Sequence, residues 1–329
     1  MKAQEMKRRA LEALCQALPE VDEQLAAVDG RLLDYVADVA RNEGDTHNLM
    51  EVLGVLKFLR VFVTYPFDTA FVQQIYRWFE GRWENHRYVE GSGGLRFSGL
   101  RGLTHYELTP VQVFIFAWIY GPHRWVNTHA AAGSRALLPT EEERDGEIWD
   151  LRRLVTEANI FVTRKFGKTM MAAFCGFLDF MFGDVNAEIY CTANSQDQSK
   201  LIYTACRNMI AQLDSAGRRI RFTATEVNWK PFQPRQSKLQ ALSAGGKTKD
   251  GLFASLCLAD EYGSAAYVKD HSDMAALVSV VQSSMGPRRE PLTIFTSTAS
   301  QVINGPYRNK LDGIIRQMKE EFITTNLTN

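Results

Sequence analysis

The stretch V-T-R-K-F-G-K-T, Val162 to Thr169, decides the fold class of this 329-residue chain. An apolar, strand-like segment leads into it, and a strongly apolar helical pattern starts at its end. A strand, a short loop and a helix, with Gly-Lys-Thr where the helix starts, are the context that a phosphate-binding P-loop requires. Backbone N–H groups of the loop and the helix N-terminus would cradle phosphates. The ATP-binding residues predicted here are Arg164, Lys165, Phe166, Gly167, Lys168, Thr169 and Met170.

The roles within this loop follow from its chemistry. Lys168 would reach the β- and γ-phosphates of ATP, and the Thr169 hydroxyl would ligate Mg²⁺. Val162 replaces the first glycine of the usual pattern, so a plain turn with a surface lysine is the alternative interpretation. A second Gly-Lys-Thr, at 246–248, is followed by no helical pattern, and we interpret it as a polar loop.

Two carboxylates follow the apolar run Leu252–Ala259, which indicates a buried strand. Ligands of open α/β sheets bind at the carboxyl edge of the strands, where Asp260 and Glu261 would lie. This is the Walker B form, in which Asp260 would hold Mg²⁺ and Glu261 would polarise the attacking water. Acidic residues that merely cap a strand are the alternative.

Strand-like runs alternate with helical patterns after Gly121, which predicts βαβ units and a mainly parallel sheet. The expected fold class is therefore an α/β P-loop NTPase with helices flanking the sheet. One of these runs, Pro291–Thr298, ends in hydroxyl residues that would meet the γ-phosphate or the water at the same edge. The strand-like runs are Ala158–Val162, Ala187–Thr192, Leu252–Ala259 and Pro291–Thr296.

The first 85 or so residues carry helical spacing of leucines, as at Leu49, Leu53 and Leu56, with Asn48 or Thr46 as the cap. A glycine-rich break from Gly91 to Gly102 indicates a boundary. We predict an N-terminal helical region at 1–90 and a P-loop ATPase domain at 91–329.

Composition excludes several classes of protein. The chain has 38 basic and 38 acidic residues, which argues against a protein that coats DNA permanently. Its five cysteines form no C-x-x-C pair, so neither a disulfide framework nor a zinc site is expected. No apolar segment is long enough to span a bilayer, and we expect a soluble protein with no membrane contact.

These motifs, in this order, resemble the ATPase motor of the large terminase subunit of tailed bacteriophages over about residues 100 to 310. The family's P-loop has the form R-x-x-G-K-S/T, and Arg164 occupies its arginine position, so the missing first glycine is expected. L-T-P-V-Q (Leu108–Gln112) resembles the family segment whose glutamine reads adenine, and Cys191–Ser199 resembles the segment after the P-loop. The resemblance implies an ASCE/RecA-like fold, with Glu261, Lys168 and Arg164 as catalytic residues.

The resemblance also implies a function, cofactors and partners. The chain would hydrolyse ATP with Mg²⁺ and translocate viral double-stranded DNA into a procapsid. It would act as a homo-oligomeric ring with the portal protein and the small terminase subunit, in the cytoplasm of an infected bacterium. Two alternative functions are another P-loop nucleic-acid motor of helicase type and a nucleotide-gated structural or adaptor protein. Thr296, Ser297 and Thr298 would form the coupling motif.

The family's C-terminal nuclease, which would carry metal-binding acidic residues, is not recognisable after Thr298, so we expect no nuclease activity from this chain. A separate prediction is that an arginine of one subunit acts on the nucleotide bound by its neighbour. For the Arg288–Arg289 pair, a solvated charge pair is the simpler interpretation and an arginine finger the alternative. Arg218, Arg219 and Arg221 form a small basic cluster, for which a solvated surface is the simpler interpretation and DNA contact the alternative. The candidates for the trans arginine are Arg288, Arg289 and Arg235.

Overall fold

The computed structural model of the protein describes residues 2–99, 102–233, 235–243, 251–266, 273–298, 302 and 305–327. The chain forms two compact units. The first comprises Met1–Val155 and Gly313–Asn329, and the second comprises Thr156–Asp312.

The first unit is mainly helical over its first 120 residues. Asn48 begins one of its helices as predicted, because its side-chain oxygen accepts hydrogen bonds from the backbone N–H groups of Met50 and Glu51. The apolar stripes predicted from the sequence form a buried core, in which Leu53 and Leu56 are nearly inaccessible. The helices are α1 (Ala3–Ala17), α2 (Asp22–Val28), α3 (Gly30–Arg41), α4 (Leu49–Thr64), α5 (Thr69–Glu80) and α6 (Pro110–Tyr120).

The same unit contains antiparallel strands that the sequence analysis did not predict. Helix α5 ends at Glu80, so the helical region stops short of residue 85. Two hairpins, β1 (Trp83–Glu84) with β2 (Arg87–Tyr88) and β3 (Phe97–Gly99) with β4 (Gly102–Thr104), follow it. A three-stranded sheet then pairs its strands in the order β5–β7–β6. Its strands are β5 (His123–Ala131), β6 (Glu141–Arg144) and β7 (Glu147–Arg153).

The predicted boundary near residue 90 falls inside this first unit, whereas the second unit starts at Thr156. The division into an N-terminal helical region at 1–90 and a P-loop ATPase domain at 91–329 stays a prediction.

The second unit is built on a seven-stranded sheet in the order β10–β11–β12–β9–β13–β14–β8. The five strands from β12 to β8 are parallel, and β10 and β11 extend the sheet with antiparallel pairing. Its strands are β8 (Glu157–Phe161), β9 (Glu188–Ala193), β10 (Ile220–Phe222), β11 (Glu226–Trp229), β12 (Lys238–Ser243), β13 (Leu256–Ala259) and β14 (Leu292–Ser297). Its helices are α7 (Lys168–Phe182), α8 (Gln196–Leu213) and α9 (Asp273–Ser283).

Helices cover both faces of this sheet. A Cβ added to Gly176 of α7 would lie 2.8 Å from Cys206 Sγ of α8 and 3.0 Å from Leu258 Cδ1 of β13, so α7 lies close to both. The preceding residue of that strand, Cys257, instead shares a core cluster with residues of α9 such as Val278. Because side chains alternate along a strand, α7 and α9 lie on opposite faces.

The predicted fold class is confirmed in its architecture: an α/β unit with a mainly parallel sheet and flanking helices follows a helical N-terminal region. The predicted strands are present with shifted ends. The largest shift is at Leu252–Ala259, where only Leu256–Ala259 pairs as a strand. The last helix, α10 (Pro306–Leu327), contains the boundary between the two units. Within the part of the chain that the structure describes, no helix is both long and apolar enough to cross a membrane.

Candidate nucleotide-binding site

The loop Val162–Gly167 connects the end of β8 to the start of α7, as the P-loop pattern predicts. Gly167 caps the helix with a φ of 93°, a left-handed conformation that glycine adopts without strain. The first N–H groups of a helix have no partner within the helix, and they carry partial positive charge. The N-terminus of α7, at Lys168 and Thr169, is therefore suited to bind an anion.

Strand β13 lies two positions from β8 in the sheet, with β14 between them. It ends at Ala259, and Glu261 adopts a left-handed backbone conformation with φ 50° and ψ 40°. Such a conformation costs energy for a residue other than glycine and is concentrated at functional sites. It ends the strand and separates the directions of the Asp260 and Glu261 side chains.

An ion pair joins the two predicted motifs. Lys168 Nζ lies 2.6 Å from Glu261 Oε1, and the two side chains are 14% and 32% exposed. Each charged group therefore has a partner of opposite sign and remains open to solvent. An incoming phosphate group would compete with Glu261 for the same ammonium group.

Asp260, by contrast, is 5% exposed. Its Oδ1 accepts hydrogen bonds from the Thr296 hydroxyl at 2.5 Å and from the Glu261 backbone N–H at 2.9 Å. Its Oδ2 lies 3.4 Å from Thr169 Oγ1 of α7. One carboxylate oxygen is thus fixed within the protein, and the other faces the start of the helix.

These atoms suit a magnesium ion. Mg²⁺ is bound in proteins through one or two carboxylates together with substrate phosphates, and it accepts hydroxyl and water oxygens as further ligands. Asp260 Oδ2 and Thr169 Oγ1 are oxygen donors of this kind, and they lie side by side at the predicted phosphate site. No group of three or more His, Cys, Asp or Glu side chains converges as a metal site among the residues described.

The hydroxyl groups at the end of β14 bind protein atoms. Thr296 donates to Asp260, and Ser297 Oγ accepts a hydrogen bond from the backbone N–H of Gly263 at 2.9 Å. The Ser297 hydroxyl also donates to the Thr298 carbonyl oxygen at 2.8 Å. These bonds connect the predicted coupling motif to the turn that carries Glu261.

Two hydrogen bonds that were not predicted from the sequence connect the end of β9 to Glu261. Asn194 Nδ2 donates to Ser264 Oγ at 2.6 Å, and Ser264 Oγ donates to the Glu261 carbonyl oxygen at 2.7 Å. Asn194 lies within the Cys191–Ser199 segment quoted above, but neither residue type has a distinctive role in sequence. Only their placement at one sheet edge brings them together.

The other predicted residues lie as follows. Arg164 and Lys165 are exposed, and Lys165 has a φ of 66°. Phe166 and Met170 are partly buried. Gln112 belongs to the first unit, where its Oε1 accepts a hydrogen bond from the Thr109 backbone N–H at 3.0 Å in the capping box of α6. The second Gly-Lys-Thr, at 246–248, lies outside the described residues.

The three candidates for a trans arginine differ in their surroundings. The Arg288 side chain is 4% exposed, and its guanidinium donates to the carbonyl oxygens of Asn186, at 2.8 Å, and of Phe253, at 3.0 Å. It also lies 3.8 Å from the centre of the Phe253 ring. Arg235 is partly buried and donates to the Gly183 carbonyl oxygen at 2.6 Å, and Arg289 is partly exposed.

Part of the chain matches a known protein family. The model of a family described as the terminase large subunit, ATPase domain, matches residues 149–316, slightly more than half of the chain. No curated protein matches the chain.

Three solved structures are similar to parts of the chain. The large terminase of bacteriophage HK97 is 20% identical over 65% of this chain and 38% of its own length, with a TM-score of 0.46. The large terminase ATPase domain of Thermus phage P74-26 is 12% identical over 43% of this chain and 59% of its own, with a TM-score of 0.35. The N-terminal domain of the DNA packaging ATPase of bacteriophage phi29 is 16% identical over 49% and 81%, also with a TM-score of 0.35.

Residues 149–316 thus form an ATPase domain, as the matching family model and the mainly parallel sheet indicate. The chain belongs to the terminase large subunit family, which confirms the resemblance drawn from the sequence. The chain spans 38% of the HK97 large terminase and 59% of the P74-26 ATPase domain.

Proposed function

We propose that this chain hydrolyses ATP at the edge formed by Lys168, Asp260 and Glu261. The observation that carries the proposal is the 2.6 Å contact between Lys168 Nζ and Glu261 Oε1. This contact brings the ammonium group at the start of α7 next to the carboxylate that follows β13. Phosphoryl transfer requires mainly such positioned charges, because the protein itself does little covalent chemistry.

The reaction is the in-line attack of water on the γ-phosphorus of ATP. Lys168 would leave Glu261 and bind phosphate oxygens, together with the N–H groups at the start of α7. Glu261 would then be free to orient the attacking water, and its left-handed backbone holds the carboxylate at the end of the sheet. Arg164, exposed in the loop, would add positive charge near the transferred group.

A magnesium ion would be held by Asp260 and Thr169. The chemistry that it would supply is positive charge against the negative charge that develops on the phosphate oxygens. The chain's own contribution is the orientation of Asp260, because Thr296 and the Glu261 N–H bind its Oδ1 and leave Oδ2 directed toward Thr169.

The biological role we propose is the packaging of viral double-stranded DNA into a procapsid. Family membership supports this role. The chain would work as a homo-oligomeric ring with the portal protein and the small terminase subunit, in the cytoplasm of the infected bacterium. Gln112 would contact the adenine, and an arginine from a neighbouring subunit would complete the site.

Steady-state ATP turnover, measured with and without double-stranded DNA, tests the proposal. We expect turnover that requires Mg²⁺ and that DNA stimulates. Nucleotide binding without any turnover would instead favour the gated adaptor. Turnover that rises only with single-stranded DNA, accompanied by strand separation, would favour the helicase-type motor.

A further inference from the structure

The far end of the sheet from the P-loop strand carries three exposed arginines, Arg218, Arg219 and Arg221. Arg221 is the middle residue of β10, which is the outermost strand at that end, and Arg219 directly precedes the strand. Between them Ile220 is buried. Because side chains alternate along a strand, Arg219 and Arg221 lie on the face opposite to Ile220. We call these three residues the arginine edge.

Asp214 fixes the backbone of the arginine edge. Its carboxylate accepts three hydrogen bonds, from the backbone N–H groups of Arg218 at 3.0 Å, Arg219 at 2.9 Å and Ile220 at 2.7 Å. Desolvation opposes ionisation of this carboxyl, but the three N–H donors outweigh it and hold the pKa of Asp214 below its ordinary value. The carboxylate thus binds the chain itself and leaves the guanidinium groups exposed.

Among the described residues, no acidic side chain forms an ion pair with the guanidinium groups of the arginine edge. The Asp214 carboxylate lies nearby, but it binds backbone N–H groups of the same segment instead. Other exposed arginines do have such partners, for example Arg8 with Glu5 and Arg308 with Asp312. The chain as a whole has equal numbers of acidic and basic residues, so this charge is concentrated locally.

The neighbouring positions on the same face are polar. Arg221 pairs with Asn228 of β11, and Asn228 pairs with Lys238 of β12. Lys238 Nζ lies 3.6 Å from Glu188, so its charge is already paired. Glu226, at the other end of β11, shares this face and pairs with Gln240. The positive charge therefore lies on the outermost strand and on the turn that precedes it.

We infer that the arginine edge contacts the phosphate backbone of double-stranded DNA. This inference rests on the proposed function, because it names the surface through which the motor would contact the DNA that it moves. Guanidinium groups bind phosphates through paired hydrogen bonds, and a backbone already fixed by Asp214 loses less entropy on binding. A motor that moves along DNA of any sequence needs phosphate contacts, since these carry no sequence information.

An exposed aromatic residue beside the arginine edge allows the partner to be distinguished. The Lys230 backbone N–H donates to the Arg219 carbonyl oxygen at 2.8 Å, and Phe232 follows two residues later in the same turn. Phe232 is fully exposed and has a φ of 66°. A protein partner would bury such an aromatic group as an anchor, and unstacked bases would stack on it. A DNA duplex, whose bases are stacked on one another, would gain little from contact with Phe232.

The test compares DNA binding by the whole chain and by three variants. In the first, Arg218, Arg219 and Arg221 are all replaced by glutamine. The second is a matched control in which Arg8, Arg9 and Arg41, which are exposed arginines with acidic partners, are replaced by glutamine. The third is Phe232→Ala. Affinity for a short duplex of mixed sequence is measured over a range of salt concentrations, and ATP turnover and thermal unfolding are measured alongside.

We expect the first variant to lose at least about tenfold in duplex affinity, while the control and Phe232→Ala lose less than about twofold. The slope of log affinity against log salt should fall by about 0.9 for each lost phosphate contact, and so by about two to three in total. Turnover without DNA and the unfolding temperature should stay those of the parent.

Equal affinity of the parent and the first variant, with normal ATP turnover, would overturn the inference and leave the proposed function intact. Absence of ATP turnover in the parent would instead overturn the proposed function. A loss in Phe232→Ala as large as in the first variant would assign the surface to unstacked bases or to a protein. If the first variant also lost binding to polyglutamate, by as much as it lost duplex affinity, the arginine edge would be assigned to acidic protein surfaces.

Discussion

Both the carboxyl edge and the amino edge of the seven-stranded sheet, where its parallel strands end and begin, carry buried or half-buried charges. The partners of these charges differ between the two edges. At the carboxyl edge, Lys168 and Glu261 pair with each other and stay open to solvent. At the amino edge, the Arg288 guanidinium is 4% exposed and binds the carbonyl oxygens of Phe253 and Asn186, which precede β13 and β9. The carboxyl edge therefore carries a solvent-accessible ion pair, whereas at the amino edge a buried guanidinium connects the segments that precede two strands.

This difference in burial and partners separates the charges for which we propose a function from those with a structural role. In the proposed mechanism, a phosphate would replace Glu261 as the partner of Lys168, and Glu261, which is 32% exposed, would stay in contact with solvent. Movement of Arg288 toward a neighbouring subunit would break the hydrogen bonds of a guanidinium that is only 4% exposed, and loss of charged hydrogen bonds is costly. Arg288 is the first candidate for the trans arginine, and its burial and hydrogen bonds argue against a role in trans.

The largest expected effect concerns that trans arginine. Specific ATPase activity should rise with protein concentration, since an arginine finger contributes about 10³–10⁵ in rate and a lone subunit lacks its neighbour's arginine. Arg289→Ala and Arg235→Ala are made separately. We expect the rise in activity with concentration to be lost in one of these two variants. Turnover measured over a wide range of protein concentrations checks the prediction. Activity per chain that stays constant in the parent and in all arginine variants would refute the trans arrangement.

Lys168→Ala should remove nucleotide binding and turnover together, with turnover falling by at least about 10³-fold, because loss of a single preorganised donor already costs about 10²–10³. Lys247→Ala is the matched control, since it alters the lysine of the other Gly-Lys-Thr. Steady-state turnover and equilibrium binding of ATP measure both variants. Equal losses in the two would mean that the P-loop has been assigned to the wrong segment.

Glu261→Gln should bind ATP with Mg²⁺ at least as tightly as the parent, because the neutral amide competes less with phosphate for Lys168. Its turnover should fall at least about 10²-fold, the low end for loss of a general base. Asp260→Asn should instead weaken the dependence on Mg²⁺. Near-normal turnover of Glu261→Gln would exclude Glu261 as the residue that orients the water.

Arg288→Ala should lower the free energy of unfolding by about 2–4 kcal/mol, because it removes the hydrogen bonds of a buried guanidinium to the carbonyl oxygens of Phe253 and Asn186. ATP turnover per folded chain should change little, since the residue lies at the amino edge. Chemical denaturation and turnover below the unfolding transition measure the two effects. A loss of concentration-dependent activity without loss of stability would return Arg288 to the trans role.

The carboxyl edge was largely predictable from sequence, and the amino edge was not. Continuous apolar runs ending in Asp260 and in Thr296 indicate parallel strands, whose carboxyl ends must meet at one edge. The short antiparallel strands carry weaker signals. The Asp145–Gly146 turn between β6 and β7, with φ values of 51° and 78°, was a hairpin signal that the sequence analysis did not use.

The structural role of Arg288 had no sequence signal at all. Its acceptors are backbone carbonyl oxygens of Phe253 and Asn186, and any residue type could supply them. The left-handed conformation of Glu261 was likewise unpredictable, because local preference disfavours it and only the surrounding hydrogen bonds stabilise it.

The most direct test of the nucleotide site is the change in thermal unfolding temperature produced by a non-hydrolysable ATP analogue with Mg²⁺. A ligand present at one hundred times its dissociation constant stabilises the folded state by about 2.7 kcal/mol. We predict that the analogue raises the unfolding temperature of the parent and, from a lower starting point, that of Arg288→Ala, and leaves that of Lys168→Ala unchanged. Equal stabilisation of Lys168→Ala and the parent would contradict the assignment of the nucleotide to this edge of the sheet.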